Sequence, residues 1–294
     1  MYSLGTILPL LSALGYGFAA LMLKRATERG VGPWRVTFIT NWVTAFAFAP
    51  WWFSGGQPVT WMSLAHAAVC GMTFFVGNIL TFLAITRGDV SVTTPVLGTK
   101  VIFVAIFGVT LAGEKLTPGL WLAALITAIA TALLGGGRHP TAQPIARSLL
   151  YGFSAAAAFA LTDSLMQRWI HLVGFGHFAP VMFATIALLS SLLVPFFREP
   201  LSALPALTWR WALGGALLLS LQAMGISYAI GVYREMTKVN ILYNTRGIWS
   251  VVLVWIIGHW FGNAEREHGA RVMFRRLAGA ALLLSAVFLS LRRS

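Results

Sequence analysis

Charge is scarce in this sequence. Of its 294 residues 10% are charged, with eight acidic side chains in all, while 58% are hydrophobic. Soluble domains carry about 25% charged and about 45–50% apolar residues. Too few charged groups are present to cover a water-exposed surface, so a soluble enzyme, a soluble nucleic-acid-binding domain and a disordered chain do not fit. Cysteine is nearly absent as well. The single Cys70 rules out an intrachain disulfide, and its neighbours Ala67, Val69 and Phe74 mark an inert, buried thiol. The six histidines are dispersed and no Cys/His group has zinc-ligand spacing, so neither a metal nor a cofactor is expected.

What the chain has instead is long apolar runs, with a mean hydropathy of +0.78. An α-helix needs about 20 residues to cross roughly 30 Å of hydrocarbon. Ten runs meet this length: 4–23, 34–53, 61–85, 90–112, 117–136, 148–169, 177–197, 209–232, 236–261 and 272–291. Ordinary breakers separate them, such as Ser54-Gly55-Gly56-Gln57-Pro58 and Arg198-Glu199-Pro200. Short alternating strands of the kind a β-barrel needs are missing. The first run lacks a basic leader and a cleavage site, so it is read as a helix that is kept. The sequence predicts an all-α integral membrane protein in contact with the lipid bilayer. In that setting the net charge of +13 belongs to loops facing anionic lipid and not to nucleic acid.

The two halves repeat. At an offset of 146, Gly88-Asp89 falls on Arg234-Glu235, Thr99-Lys100 on Thr245-Arg246, and Thr81-Phe82 on Ser227-Tyr228; at 143, Leu23-Lys24-Arg25 falls on Met166-Gln167-Arg168. These matches predict a first five-helix unit over 1–137, a linker at 138–147 and a second unit over 148–294. Five is odd, so the second unit enters the membrane from the opposite face. The expected fold is ten transmembrane helices arranged as two inverted five-helix repeats around a central cavity, an arrangement typical of secondary transporters.

Particular residues carry a family resemblance. The run from Leu80-Thr81-Phe82-Leu83-Ala84-Ile85 through Gly88-Asp89-Val90-Ser91-Val92-Thr93-Thr94-Pro95-Val96 resembles the third-to-fourth helix region of the drug/metabolite transporter superfamily, EamA type. Phe103-Val104-Ala105-Ile106-Phe107-Gly108 and the ending Gly113-Glu114-Lys115-Leu116-Thr117 extend the likeness. In the second half Asn263-Ala264-Glu265 stands where a Gly-Glu pair is expected. The resemblance implies a membrane carrier and not an enzyme. It also implies a small polar substrate, such as an amino acid or other carboxylate-bearing compound, with export of aromatic amino acids among the family's activities. Phosphorylated metabolites, sugars and nucleotide sugars are the alternative cargoes. A channel or lipid-binding module is the alternative outside transport.

Charges inside the spans are the most informative positions. Lys100 and Arg246 lie near the midpoints of the fourth and ninth runs. A basic residue there costs about 2.5–3.5 kcal/mol on insertion scales, so each must face a polar space or a partner. Two cations converging on the midplane favour an anionic group through charge-assisted hydrogen bonds. Asp163, well inside the sixth run, either neutralises one of them in the empty state or carries a coupling proton. Further candidates for the substrate site are Asn41 on the second helix, Asn78 on the third, Thr94 on the fourth, Tyr228 on the eighth, and Asn240 and Tyr243 on the ninth, with Trp249 as a stacking surface. Glu114, at a span boundary, reads as a cap or anchor for a helix end.

The loops disagree with the resemblance over orientation. Lys115, Arg168, Arg234, Lys238, Arg292 and Arg293 fall on the side of the termini, and most of the 21 basic residues fall on the other. The positive-inside rule puts both termini outside; the resemblance puts both inside. Either way the expected location is the cell membrane, crossed many times, and in a bacterium the inner one.

Overall fold

A computed structural model describes residues 4–87, 90–135, 145–257 and 270–291. Gly88-Asp89, residues 138–144 of the linker, the segment Gly258 to Glu265, and Arg292 and Arg293 lie outside the described residues, as do the side chains of Thr94 and Pro95. Among the described residues there are helices and turns and no strand.

Twelve α-helices follow the ten apolar runs: α1 Leu4–Glu28, α2 Pro33–Phe48, α3 Trp61–Arg87, α4 Val90–Gly98, α5 Lys100–Thr110, α6 Pro118–Gly135, α7 Ile145–Trp169, α8 Phe175–Ser190, α9 Ala206–Tyr233, α10 Met236–Tyr243, α11 Arg246–Ile257 and α12 Ala270–Leu291. The second span is completed by a 3₁₀ segment, Ala49–Ser54, and the seventh by another, Ser191–Phe196. Pro33, Pro118 and Pro205 stand where a missing amide costs least, at the first position of α2 and α6 and just ahead of α9, while Pro9 and Pro180 lie inside α1 and α8. The second helix of each half is entered through a glycine with positive φ, Gly32 at 74° and Gly174 at 81°, a conformation other residues rarely adopt.

The fourth and ninth spans differ from the sequence reading. Each was expected as one continuous helix, and each is broken next to its cation. α4 stops at Gly98 and α5 starts at Lys100; α10 stops at Tyr243 and α11 starts at Arg246. The break is a tightened turn. Thr99 N bonds Val96 O at 3.0 Å and Ile102 N bonds Thr99 O at 2.9 Å; the same i to i−3 bonds recur at Thr245 N to Leu242 O, 3.1 Å, and Ile248 N to Thr245 O, 2.9 Å. Both threonine hydroxyls turn back onto the same carbonyls, Thr99 at 2.6 Å and Thr245 at 2.7 Å. This is the competition between hydroxyl and backbone that bends helices. It appears at the same point of both repeats.

Packing follows the inverted repeat. α1 runs antiparallel against α9, with Gly5 against Tyr233 at one end and Gly215 against Leu23 at the other. Its counterpart is α3 against α7, where Gly77 meets Phe159, Thr73 and Thr162 share a hydrogen bond of 2.9 Å, and His66 stacks on Trp169 at 4.3 Å. α2 lies on α9 as α8 lies on α3; α5 lies on α7 as α11 lies on α1; α6 packs on α12. The interior is apolar, and Phe48, Phe178, Phe183, Ile186 and Met236 belong to one buried cluster. Cys70 is fully buried in it, as its neighbours suggested. The opposite surface, including Leu11, Phe46, Leu125, Leu188 and Leu217, exposes large apolar side chains, as lipid contact requires. Among the described residues five helical stretches are long and apolar enough to cross a bilayer singly, and the broken fourth and ninth spans reach that length only as pairs.

At the end of the bundle where α1 begins, two glycine-rich turns interlock. Gln57 N donates to Val173 O at 3.1 Å, and a Cβ placed on Gly176 would run into the carbonyl oxygens of Gly55 and Trp51. Gly176→Ala is therefore expected to lower stability by about 1–3 kcal/mol, measurable as a fall in the thermal midpoint of the purified protein in detergent.

Candidate functional site: a split pair of cations at the helix breaks

The breaks set two cations at the first positions of two half-helices. Lys100 reaches across to α7, where its Nζ lies 2.7 Å from Asp163 Oδ2. The same oxygen accepts a hydrogen bond of 2.8 Å from Asn240 Nδ2 on α10. Asn240 also donates to Met236 O, one turn back, at 3.0 Å, which fixes the direction of its amide. One carboxylate oxygen thus holds an ammonium from the first repeat and an amide from the second. Asp163 is 8% exposed and Asn240 2%, so neither can exchange its partner for water.

Arg246 is held differently. Its guanidinium carbon lies 4.6 Å from the ring centroid of Tyr243 and 4.9 Å from that of Tyr16 on α1. The two rings meet edge to face, 6.2 Å apart at 80°, and form a corner around the cation. Such contacts contribute about 0.5–2 kcal/mol each. No ion pair joins Arg246 to a carboxylate among the described residues. Lys100 and Asp163 cancel, so the centre keeps one uncompensated positive charge on a planar, forked donor.

The floor of this centre is a third polar group. Glu114, in the turn after α5, accepts from Gln167 Nε2 at 3.2 Å, from Thr237 N at 3.4 Å and from the Thr237 hydroxyl. Gln167 Oε1 accepts from Met236 N at 2.9 Å. The first amides of α10 are therefore capped by side chains from two other spans. Arg168 completes the arrangement by donating to Leu111 O, at the end of α5, at 3.0 Å. Gly108 leaves room for the Glu114 carboxyl, which a Cβ there would meet at 2.7 Å. Burial pushes the Glu114 carboxyl above its usual range, and the hydrogen bonds from Thr237 and Gln167 work against that rise.

The other sequence candidates are placed elsewhere. Tyr228 sits in an aromatic layer, 6.0 Å from Trp51 and 5.2 Å from Phe175. Asn41 is buried on α2, with an Nδ2 that meets no partner; beside it Thr44 bonds Ser220 of α9 at 2.9 Å. Asn78 is half-buried on α3. The Thr94 side chain lies outside the described residues. Trp249 is 37% exposed and its backbone lies against Gly17, and the rings over Arg246 belong to Tyr243 and Tyr16. Asn240 and Tyr243 lie on α10, and the turn at Asn244-Thr245 separates them from Arg246 at the start of α11. Sequence reasoning missed Tyr16 altogether. Its only signal was a phenol within the first apolar run.

Removing one member of the ion pair should cost more than removing both. Lys100→Met and Asp163→Leu are each expected to lower the thermal midpoint by leaving a charge unpaired, while the double variant recovers much of the loss. A double-mutant cycle in detergent measures this, with a coupling of about 1–3 kcal/mol expected.

The comparisons with known proteins agree with this architecture. A solved crystal structure covers 99% of this chain and 98% of its own with a TM-score of 0.75 at 17% identity, a likeness of fold. No curated protein matches the chain. Residues 3–136, the first of the two five-helix units, match the EamA-like transporter family. In that unit the chain is similar to the EamA-like transporters, and over its whole length it shares the fold of the solved structure.

Proposed function

We propose that the protein carries a small carboxylate-bearing metabolite, an amino acid foremost, across the cell membrane by alternating access. The observation that carries this reading is Arg246: a cation near the bilayer centre, held by two aromatic faces and without an ion-pair partner among the described residues. A substrate carboxylate supplies that partner through a bidentate, charge-assisted pair with the guanidinium. The ammonium of an amino acid has a matching acceptor in Asp163, which it would reach by replacing Lys100. Asp163, the carboxylate that faces Lys100, is also the proposed carrier of a coupling proton.

The same geometry ranks the alternatives. A doubly charged phosphate would use both cations but would have to displace or face the Asp163 carboxylate already paired with Lys100. A neutral sugar brings no charge to pair with Arg246. Tyr16 and Tyr243 offer ring surface to an aromatic side chain, which keeps aromatic amino acids within the proposed substrates.

The test is thermal stabilisation of the purified protein against amino acids, organic acids, phosphorylated metabolites and sugars, since a ligand that binds only the folded state raises its midpoint. A saturable shift with carboxylates is expected, weakened at least about a hundredfold in apparent affinity by Arg246→Gln, the loss of one charged, desolvated pair. Arg246→Lys should recover little of it, because an ammonium cannot present a planar fork. A shift that survives Arg246→Gln returns this residue to a structural role.

A further inference from the structure

The central ion pair and the Glu114 group share two helices. On α7, Asp163 and Gln167 lie four residues apart and so project from one face, one turn above the other. On α10, Met236 and Asn240 have the same spacing. The two faces meet rung by rung: Asp163 with Asn240 at 2.8 Å, and Gln167 with the Met236 amide at 2.9 Å. Glu114 crosses the lower rung and binds both the Gln167 amide and the Thr237 amide and hydroxyl. The chain of contacts is continuous from Lys100, through Asp163, Asn240 and Met236, to Gln167 and Glu114.

We propose that Glu114 and Gln167 are positioning residues of the transport cycle: they form a latch that seals the centre at the end where α10 begins, and the Lys100–Asp163 pair one turn away controls it. The inference rests on the transport reading above. All three elements joined by the latch end there: α5 terminates, α7 terminates and α10 starts. None of its bonds is a helix's own. Each joins side chains or caps from different spans, so opening that end costs these bonds and leaves the helices intact. A substrate ammonium that replaces Lys100 at Asp163 competes with Asn240 for the carboxylate oxygen they share, and the upper rung of the α7–α10 pair loosens with it. The lower rung then carries the closure alone. At the same end, the turns around Gly56 and Gly176 join another pair of spans, α2 and α8, and include no group from the central site. Closure there is therefore split into a part that senses the centre and a part that does not.

The test needs no knowledge of the substrate. The protein has one cysteine, buried Cys70, so Cys70→Ala with Tyr16→Cys places a single thiol beside Arg246. A membrane-impermeant maleimide is applied to the two faces separately, using right-side-out and inside-out vesicles. Gln167→Ala and Glu114→Ala should each speed labelling from the Glu114 face by at least about tenfold, the effect of losing one charge-assisted or capping hydrogen bond, and leave labelling from the other face unchanged or slower. Glu114→Gln keeps the size and one acceptor, should fall between, and serves if Glu114→Ala does not fold. Asp163→Asn should speed labelling from the same face. Unchanged labelling in Gln167→Ala and Glu114→Gln, or an equal rise from both faces, overturns the latch. A ligand shift lost in Arg246→Gln together with unaltered labelling would defeat the latch and leave the carboxylate site standing. One-sided labelling without any carboxylate shift would do the reverse.

Discussion

One oxygen of Asp163 receives the ammonium of Lys100 and the amide of Asn240 in a region that offers almost no water, and the arrangement of the centre depends on it. An unpaired lysine near the bilayer centre would push α5 towards the interface, and an unpaired aspartate would do the same to α7. Pairing removes both tendencies and draws three spans from two repeats onto one atom. Hydrocarbon supplies little hydrophobic drive between helices, so such polar contacts and close packing at small residues set which helices become neighbours. The glycines facing Phe159, Leu23 and Ser12 provide the second of these.

The arrangement also explains why the two cations, though repeat-mates, are not equivalent. Lys100 has Asp163 and is neutralised; Arg246 has Tyr16 and Tyr243 and is not. The two-fold relation holds for the backbone, down to the tightened turn and the threonine that bonds backwards. It fails for the side chains that decide charge. A symmetric scaffold thereby presents an asymmetric centre, which a substrate with two unlike ends requires.

Much of this was legible in the sequence. Apolar length gave all ten spans, usually within two or three residues, because crossing hydrocarbon imposes one requirement on every helix; α1 outlasts its run by five residues, ending in the polar stretch Lys24 to Glu28. The repeat offset picked out Thr99-Lys100 and Thr245-Arg246 because charge is rare enough in this chain to be conspicuous. Pairing of Lys100 with Asp163 was one of two options the sequence left open. The helix breaks were not legible, since threonine is common in membrane helices and neither turn carries a glycine pair or a proline at the break itself. Tyr16 was missed for a related reason: periodicity reports which residues share a helix face, and the partner of Arg246 comes from the far end of the chain. Gln167 was visible only as the mate of Lys24, with nothing to say that it caps another helix.

The paired breaks have a mechanical meaning. A residue in a 3₁₀ turn advances about 2.0 Å and turns about 120°, against 1.5 Å and about 100° in an α-helix. Moving one residue from one form to the other therefore rotates everything beyond it by about 20° and shifts it along the axis by about 0.5 Å. Thr99 and Thr245 stand at matching points of the two repeats, each with a cation on the next residue. A quarter-turn of either half-helix corresponds to four or five residues changing form.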